Sequence, residues 1–194
     1  MLNRKLVMMK TAVALIGCVG VVGPSWAAGS ATQNITVNAS VIQKCTISTT
    51  NVTLNGYDPL GANASAPLDN SITGAGTIVL TCTNGSTNAV NIGLGPGSNS
   101  SNAVTTTRAL ANGGNYMDYD LYKPSGTTAG AACASPVTSG TTVWGNSGTG
   151  LLTPTGVTWG KSSPQTFYVC GSIPGGLDPV QGSYTDTVVA TVNF

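Results

Sequence analysis

The sequence predicts an all-β protein built as a β-sandwich, and three observations lead to that fold class. Glycine is abundant, while charged residues, which include the best surface helix formers, make up only 7% of the chain. Short runs of β-branched and aromatic residues alternate with polar residues, which is the period of a half-buried strand. Glycine, proline and asparagine separate these runs at short intervals, as expected for two antiparallel sheets joined by many turns.

Residues 1–27 have the features of a secretory signal peptide. Arg4, Lys5 and Lys10 give a positively charged start, and residues 11–22 form an apolar run. The run is too short for a permanent membrane span, and small residues precede a cleavage site that we place after Ala27.

Cys18 introduces an alternative for this leader. Together with Leu15, Ile16 and Gly17 it resembles the site at which bacterial lipoproteins are cut and acylated. The apolar run continues past Cys18 and a conventional cleavage site follows, which favours an ordinary residue inside the signal peptide.

The charge of the remaining chain restricts its partners. After residue 27 there are four lysines and arginines and six aspartates, a net charge of −2, with no glutamate. The absence of a basic patch argues against nucleic acid as a partner. About 165 residues correspond to one domain with a sizeable core.

The chain from residue 34 to residue 45 begins with a regular alternation. Ile35, Val37, Ala39 and Val41 occupy every second position, with polar residues between them. This pattern predicts a strand near the start of the processed chain. From the pattern alone, the strand could pair with its own domain or with another chain.

The remaining strands are predicted from the same period. They cover residues 46–54, 77–82, 90–94, 105–111, 115–123, 142–144, 166–173 and 183–194, with an interrupted edge segment at 151–159. The last strand places five residues on one face: Tyr184, Val188, Ala190, Val192 and Phe194. No segment after residue 27 has a convincing helical pattern.

Two pairs of residues suggest possible chemistry. Asp118 and Asp120 share one strand face and could form an acid–base pair or a calcium site, but the pattern favours a solvated face. Trp144 and Trp159 could stack on a sugar, but such residues more often pack a core. The chain has no histidine, which excludes a Ser-His-Asp triad, and because it has no CxxC pair either, the usual zinc ligand spacings are absent. We expect no catalytic residues, no metal and no cofactor.

Four cysteines remain after the signal peptide: Cys45, Cys82, Cys133 and Cys170. An even number in an exported chain predicts two disulfides formed in an oxidising compartment. The sequence itself leaves all three pairings open.

Several segments together resemble the spore coat protein U domain. They are the alternating run before Cys45 and residues 78–82, 108–110, 116–122, 142–145, 171–174 and 182–194. The resemblance covers residues 34–194, and the closing run is its most specific part.

This family includes the pilin subunits of archaic chaperone–usher pili. The resemblance implies an incomplete immunoglobulin-like β-sandwich that is completed by a strand from another chain. A periplasmic chaperone supplies that strand first, and the leading segment of the next subunit replaces it at the outer-membrane usher. The implied organisation is a donor segment at 28–43, with Ile35, Val37, Ala39 and Val41 facing the acceptor, and a domain at 44–194. The face that begins at Tyr184 would form the edge of the acceptor groove.

The resemblance also implies a disulfide between Cys45 and Cys82, and it leaves Cys133 to pair with Cys170. The function it implies is that of a non-enzymatic structural subunit of an extracellular pilus, exported through the periplasm and supporting adhesion and biofilm formation. Its partners would be the chaperone, the usher and neighbouring subunits joined head to tail. The alternatives are a spore or cell coat protein and a carbohydrate-binding adhesin.

Overall fold

A computed structural model describes residues 29–70, 76–86 and 89–194. Residues Ser40–Phe194 form one compact unit, and of the unit that precedes them the structure describes residues 29–39. The predicted signal peptide and Cys18 lie outside the described residues.

The compact unit is built from short strands. These are β1 (Cys45–Thr50), β2 (Leu68–Asp69), β3 (Gly76–Cys82), β4 (Asn91–Leu94), β5 (Arg108–Asn112), β6 (Asn115–Tyr122), β7 (Gln165–Ile173) and β8 (Ala190–Asn193). The described residues contain 3₁₀ turns at Ser100–Asn102 and Gly148–Gly150 but no α-helix, and therefore no helix that could cross a membrane. The predicted all-β class is confirmed.

The strands form two antiparallel sheets. The larger has the order β1-β3-β7-β6-β5, with the short β2 also paired to β7, and the smaller consists of β4 and β8. Isolated bridges from Ile92 to Leu152 and from Ala111 to Thr185 tie further segments to these sheets.

The core lies on the inner faces of these strands. In β3, Ile78, Leu80 and Cys82 are buried while the residues between them are partly exposed, as the two-residue period predicts. Trp144 is fully buried, and its indole Nε1 donates a hydrogen bond of 2.9 Å to the carbonyl of Ile92. Burial of Trp144 and Trp159 confirms that they pack the core, so this pair does not form an exposed platform for a sugar.

The C-terminal segment differs from its predicted single strand. Only Ala190–Asn193 forms a strand, because the segment changes partner along its length. Thr185 pairs with Ala111 of β5, Thr187 and Val189 bond to the loop after β4, and only then does pairing with β4 begin. No single neighbour supplies a continuous ladder. Similarly, the strand predicted at 142–144 is reduced to one bridge between Val143 and Tyr122.

The prediction that Asp118 and Asp120 lie on a solvated strand face is wrong. Both residues are 6% exposed. The chain that leads into β5 covers them, because Thr105 and Thr107 donate hydrogen bonds to Asp118 and Asp120, respectively, from both backbone and side chain.

Both implied disulfides are present. Cys45 bonds to Cys82, with 4.0 Å between their Cα atoms, and Cys133 bonds to Cys170, with 5.6 Å. The first joins the start of β1 to the end of β3. The second joins the long loop after β6 to the buried centre of β7.

Candidate strand-acceptor groove

A groove of about 810 Å³ crosses the compact unit and opens onto its core. Core side chains from β3, β4, β5, β6 and β7 form its floor: Ile78, Leu94, Leu110, Tyr119, Leu121 and Val169. The groove therefore reaches the core, although its floor side chains keep little accessible surface, from 1% at Ile78 to 5% at Val169 among those that are buried.

Residues 47–55 form the first wall of the groove. β1 stands at the end of the larger sheet and pairs only with β3, so its other edge has no strand partner among the described residues. Beyond β1, Val52 and Leu54 pack against the core. Gly171 of β7 makes room for them, because a Cβ there would lie 3.0 Å from Val52 and 3.1 Å from Leu54.

Residues 184–190 form the opposite wall. Backbone hydrogen bonds to the body of the domain occur at alternate residues: Thr185 with Ala111 at 2.9 Å, Thr187 with Ser98 at 3.0 Å and Val189 with Gly95 at 2.9 Å. In extended chain, the intervening residues direct their N–H and C=O groups to the other side. Within the described ranges those groups have no backbone partner, so a second free edge faces the groove.

A buried arginine, Arg108, fixes the backbone where β4 ends and the loop beside the groove begins. Arg108 is 1% exposed and donates hydrogen bonds to the carbonyls of Gly95 at 2.9 Å and Trp144 at 2.5 Å. Its guanidinium lies 3.8 Å from the carboxylate of Asp120. Burial lowers the pKa of Arg108, and the nearby Tyr119, Asp120 and Asp186 oppose that shift. Arg108, paired with Asp120, therefore has a structural role: it fixes the backbone at the end of β4.

The groove floor remains uncharged at ordinary pH. Burial and the hydrogen bond to Asp186 raise the pKa of Tyr119, so its hydroxyl stays protonated. Among the described residues no cluster of histidine, cysteine or carboxylate side chains could hold a metal ion. An apolar floor between the edge of β1 and the extended segment at 184–190 is suited to binding an extended peptide, which could bond to the backbone on both sides.

The segment at residues 29–43 has a surface that complements the groove. Residues 29–43 form no strand. Ile35, Val37 and Val41 are 88%, 87% and 84% exposed, and Ala39 is also exposed. Exposed apolar residues at alternate positions are what a donated strand would present.

The base of this segment is anchored to the domain. The hydroxyl of Thr83 accepts from the backbone N–H of Lys44 at 3.0 Å, and its one proton can go to the carbonyl of Lys44 at 3.2 Å or of Ile42 at 3.3 Å. The backbone N–H of Thr83 donates to the carbonyl of Lys44 at 2.9 Å. With the Cys45–Cys82 disulfide beside it, the chain is fixed from Lys44 onwards.

The residues predicted for the groove edge fall into two groups. Tyr184, Val188 and Ala190 line the groove, whereas Val192 packs against the core from β8 and Phe194 is 48% exposed. Their role as an acceptor edge, and that of Ile35, Val37, Ala39 and Val41 as a donor strand, stay predictions.

Sequence reasoning did not identify the first wall as part of the site. The alternation of Val52 and Leu54 was a signal for it, but that pattern does not reveal which side of the segment is left without a neighbour. A smaller groove of about 410 Å³ shares Leu54, Leu110 and Tyr184 with the main one and extends it towards Pro179.

Comparisons with known proteins identify the family. The family model of the Spore Coat Protein U domain matches residues 31–191. Protein U of Myxococcus xanthus is 34% identical over 196 residues, which cover 96% of this chain and 98% of that protein. A solved structure, the CsuC-CsuE chaperone–tip adhesion subunit pre-assembly complex from archaic chaperone–usher Csu pili of Acinetobacter baumannii, aligns with a TM-score of 0.46 and 19% identity. That alignment covers 79% of this chain and 40% of the matched chain. Given the extent of the family match and the identity to Protein U, the chain belongs to the spore coat protein U domain family.

Proposed function

We propose that this protein is a non-catalytic structural subunit of an extracellular, pilus-type fibre, in which residues 34–41 of one copy fill the groove of the next. The observation that carries the proposal is the groove itself, which has an apolar floor and runs between the edge of β1 and the extended segment at 184–190; among the described residues neither has a backbone partner on the groove side. The same chain carries an exposed, alternating apolar segment of the length that one such strand requires.

The energetics favour this occupant. Burying the side chains of Ile35, Val37 and Val41 would contribute roughly 1.5–3 kcal/mol each, and Ala39 less. Hydrogen bonds to both free edges would add to this, against the entropy lost when the segment is ordered.

Head-to-tail insertion gives a fibre rather than a closed pair. The segment and the groove are different surfaces of one chain, so each copy that donates to one neighbour still has a groove for another. Such contacts continue as a filament unless the geometry closes a ring.

Assembly requires that the open groove be protected until a subunit is added. In this proposal a periplasmic chaperone fills the groove first, and exchange for the next subunit occurs at an outer-membrane usher. The signal peptide predicted at 1–27 would direct export, the finished pilus would lie at the cell surface, and adhesion and biofilm formation would be its roles.

Val37→Asp tests the donor strand directly. A charged carboxylate on the buried face should stop assembly, because its desolvation is not compensated in an apolar groove. Fibres would be counted by electron microscopy of cells that express the protein with its chaperone and usher. Thr36→Asp is the matched control, since it adds the same charge on the opposite face. Normal fibres from Val37→Asp would refute the assignment.

Deletion of residues 30–41 tests the two surfaces separately. The shortened chain keeps its groove, so it should still bind the chaperone but fail to extend a fibre. Co-purification with the chaperone and fibre counts are the two measurements. Fibres of normal length from this variant would exclude the segment as donor.

A coat protein of the spore or cell surface is the second candidate, and the name of the matched family favours it. It would use the same domain without a pilus. Loss of assembly in cells that lack the usher supports the pilus, and assembly that proceeds without the usher supports the coat.

A further inference from the structure

We propose that Asp186 is the positioning residue of the groove: its carboxylate fixes the C-terminal wall to the domain, so that the groove is open before any strand arrives. The inference rests on the proposed function and names the group that prepares the acceptor site.

The contacts of the Asp186 carboxylate are numerous and come from two separate parts of the fold. Oδ1 accepts from the hydroxyl of Ser98 at 2.7 Å and from Asn99, at 3.2 Å from the backbone N–H and 3.0 Å from the side-chain amide. Oδ2 accepts from the hydroxyl of Tyr119 at 2.8 Å. One side chain therefore links the C-terminal wall to the loop after β4 and to β6.

Gly97 provides independent evidence that the loop is shaped around this carboxylate. It has φ +91°, and a Cβ at this position would lie 2.1 Å from Oδ2 of Asp186. Any other residue would be strained there and would displace the carboxylate. The loop backbone and the acid are thus fitted to each other.

The position of Asp186 explains why this linkage matters for the groove. The flanking residues Thr185 and Thr187 are held by isolated backbone bonds and not by a continuous ladder. A short, weakly paired segment beside a groove that is lined by core side chains would tend to move into that groove and fill it. The carboxylate holds the segment against the opposite side and keeps its free edge towards the groove.

The test measures how the groove accepts a synthetic peptide of residues 30–43. The parent chain carries Val37→Asp, so that its own segment does not compete. Adding Asp186→Ala should slow peptide association at least about tenfold, since several charge-assisted hydrogen bonds are lost. Amide hydrogen exchange should rise at residues 184–189 while β3 and β7 stay protected. Asp178→Ala removes an exposed aspartate and serves as the control.

Glycine variants provide a second test that leaves Asp186 in place. Gly97→Ala should reproduce the slow association, because the added Cβ displaces the carboxylate. Gly130→Ala is the matched control: its φ of +76° imposes comparable strain, but a Cβ there meets nothing within 4 Å. Asp186→Asn keeps one acceptor oxygen and should restore most of the association rate.

The outcomes separate this inference from the proposed function. Failure of the parent chain to bind the peptide overturns the proposed function. Binding by the parent with equally fast association in Asp186→Ala and Gly97→Ala overturns the role of Asp186. Loss of protection throughout β3 and β7 in both variants also counts against it, because it would indicate a general role in stability.

Discussion

Asp118 acts as a structural connector although it is a charged residue in a buried position. Its carboxylate accepts from the backbone N–H groups of Val104 at 3.0 Å and Thr105 at 2.6 Å, and from the hydroxyl of Thr105 at 2.6 Å. Burial alone would raise the pKa of Asp118, but these hydrogen bonds outweigh it and hold the pKa below its usual value.

This shift predicts acid sensitivity. Because the pKa of Asp118 is lower in the folded chain than in the unfolded chain, its carboxylate stabilises the fold above about pH 4, and that contribution is lost as the pH falls through the folded value. Asp118→Asn should lower the free energy of unfolding by about 1–3 kcal/mol at pH 7. The difference from the unmodified chain should shrink at pH 3, as measured by urea unfolding. The control variant Asp178→Asn, at an exposed position, should have nearly the same free energy of unfolding as the unmodified chain at both pH values. If Asp118→Asn lowered the free energy of unfolding equally at pH 7 and pH 3, the prediction would be contradicted.

Residue-scale prediction from the sequence succeeded on one face of β6 and failed on the other. The two-residue period puts Met117, Tyr119 and Leu121 on the face opposite Asp118 and Asp120, and these three residues are buried in the core. The period could not show that a neighbouring segment covers Asp118 and Asp120, because alternation reports a strand's two faces but not what lies over each of them.

β1 is the element with the weakest support. Five of its six residues are exposed, its only strand partner is β3, and the Cys45–Cys82 bond ties one end. Its place beside the groove therefore depends on one neighbour and one covalent link.

Removing each disulfide should have a different local effect. Replacing Cys45 and Cys82 with alanine should speed amide exchange in β1, whereas replacing Cys133 and Cys170 should do so in the loop between β6 and β7. Both closed loops have a sequence separation of 37, so each loss should lower the free energy of unfolding by roughly 3–4 kcal/mol in the loop-entropy model. Similar exchange maps for the two variants would contradict the prediction.

The sequence predicted the bounds of a strand well where that strand pairs with the same neighbour along its length. β3, β6 and β7 each pair over several consecutive residues, and their predicted bounds agree with the structure to within about one residue. The C-terminal run alternates equally well but has three successive partners along its length, and a pattern of hydrophobicity contains no information on those changes.

At the scale of the whole molecule, the chain exposes an apolar segment and also carries a groove with core side chains at its floor. Two such surfaces on one molecule predict self-association in the absence of any chaperone. The compact unit should gain stability whenever the groove is filled, because a ligand that binds only the folded state raises the unfolding temperature.

The unfolding temperature of the processed chain should therefore rise with protein concentration. Val37→Asp should abolish that dependence and Thr36→Asp should keep it. Calorimetry across a hundredfold concentration range would measure it. A concentration-independent transition for the unmodified chain, with a single monomeric species in sedimentation, would contradict the head-to-tail model.

The anchor at Thr83 has a mechanical consequence for such a fibre. In the proposed fibre Val41 would be the last residue of the donated strand, and both backbone groups of Lys44 are already bonded to Thr83 of the donor's own domain. Very little chain then remains between adjacent subunits, and bending would concentrate between Val41 and Lys44. The flexibility of such a filament would be set by these few residues of each subunit.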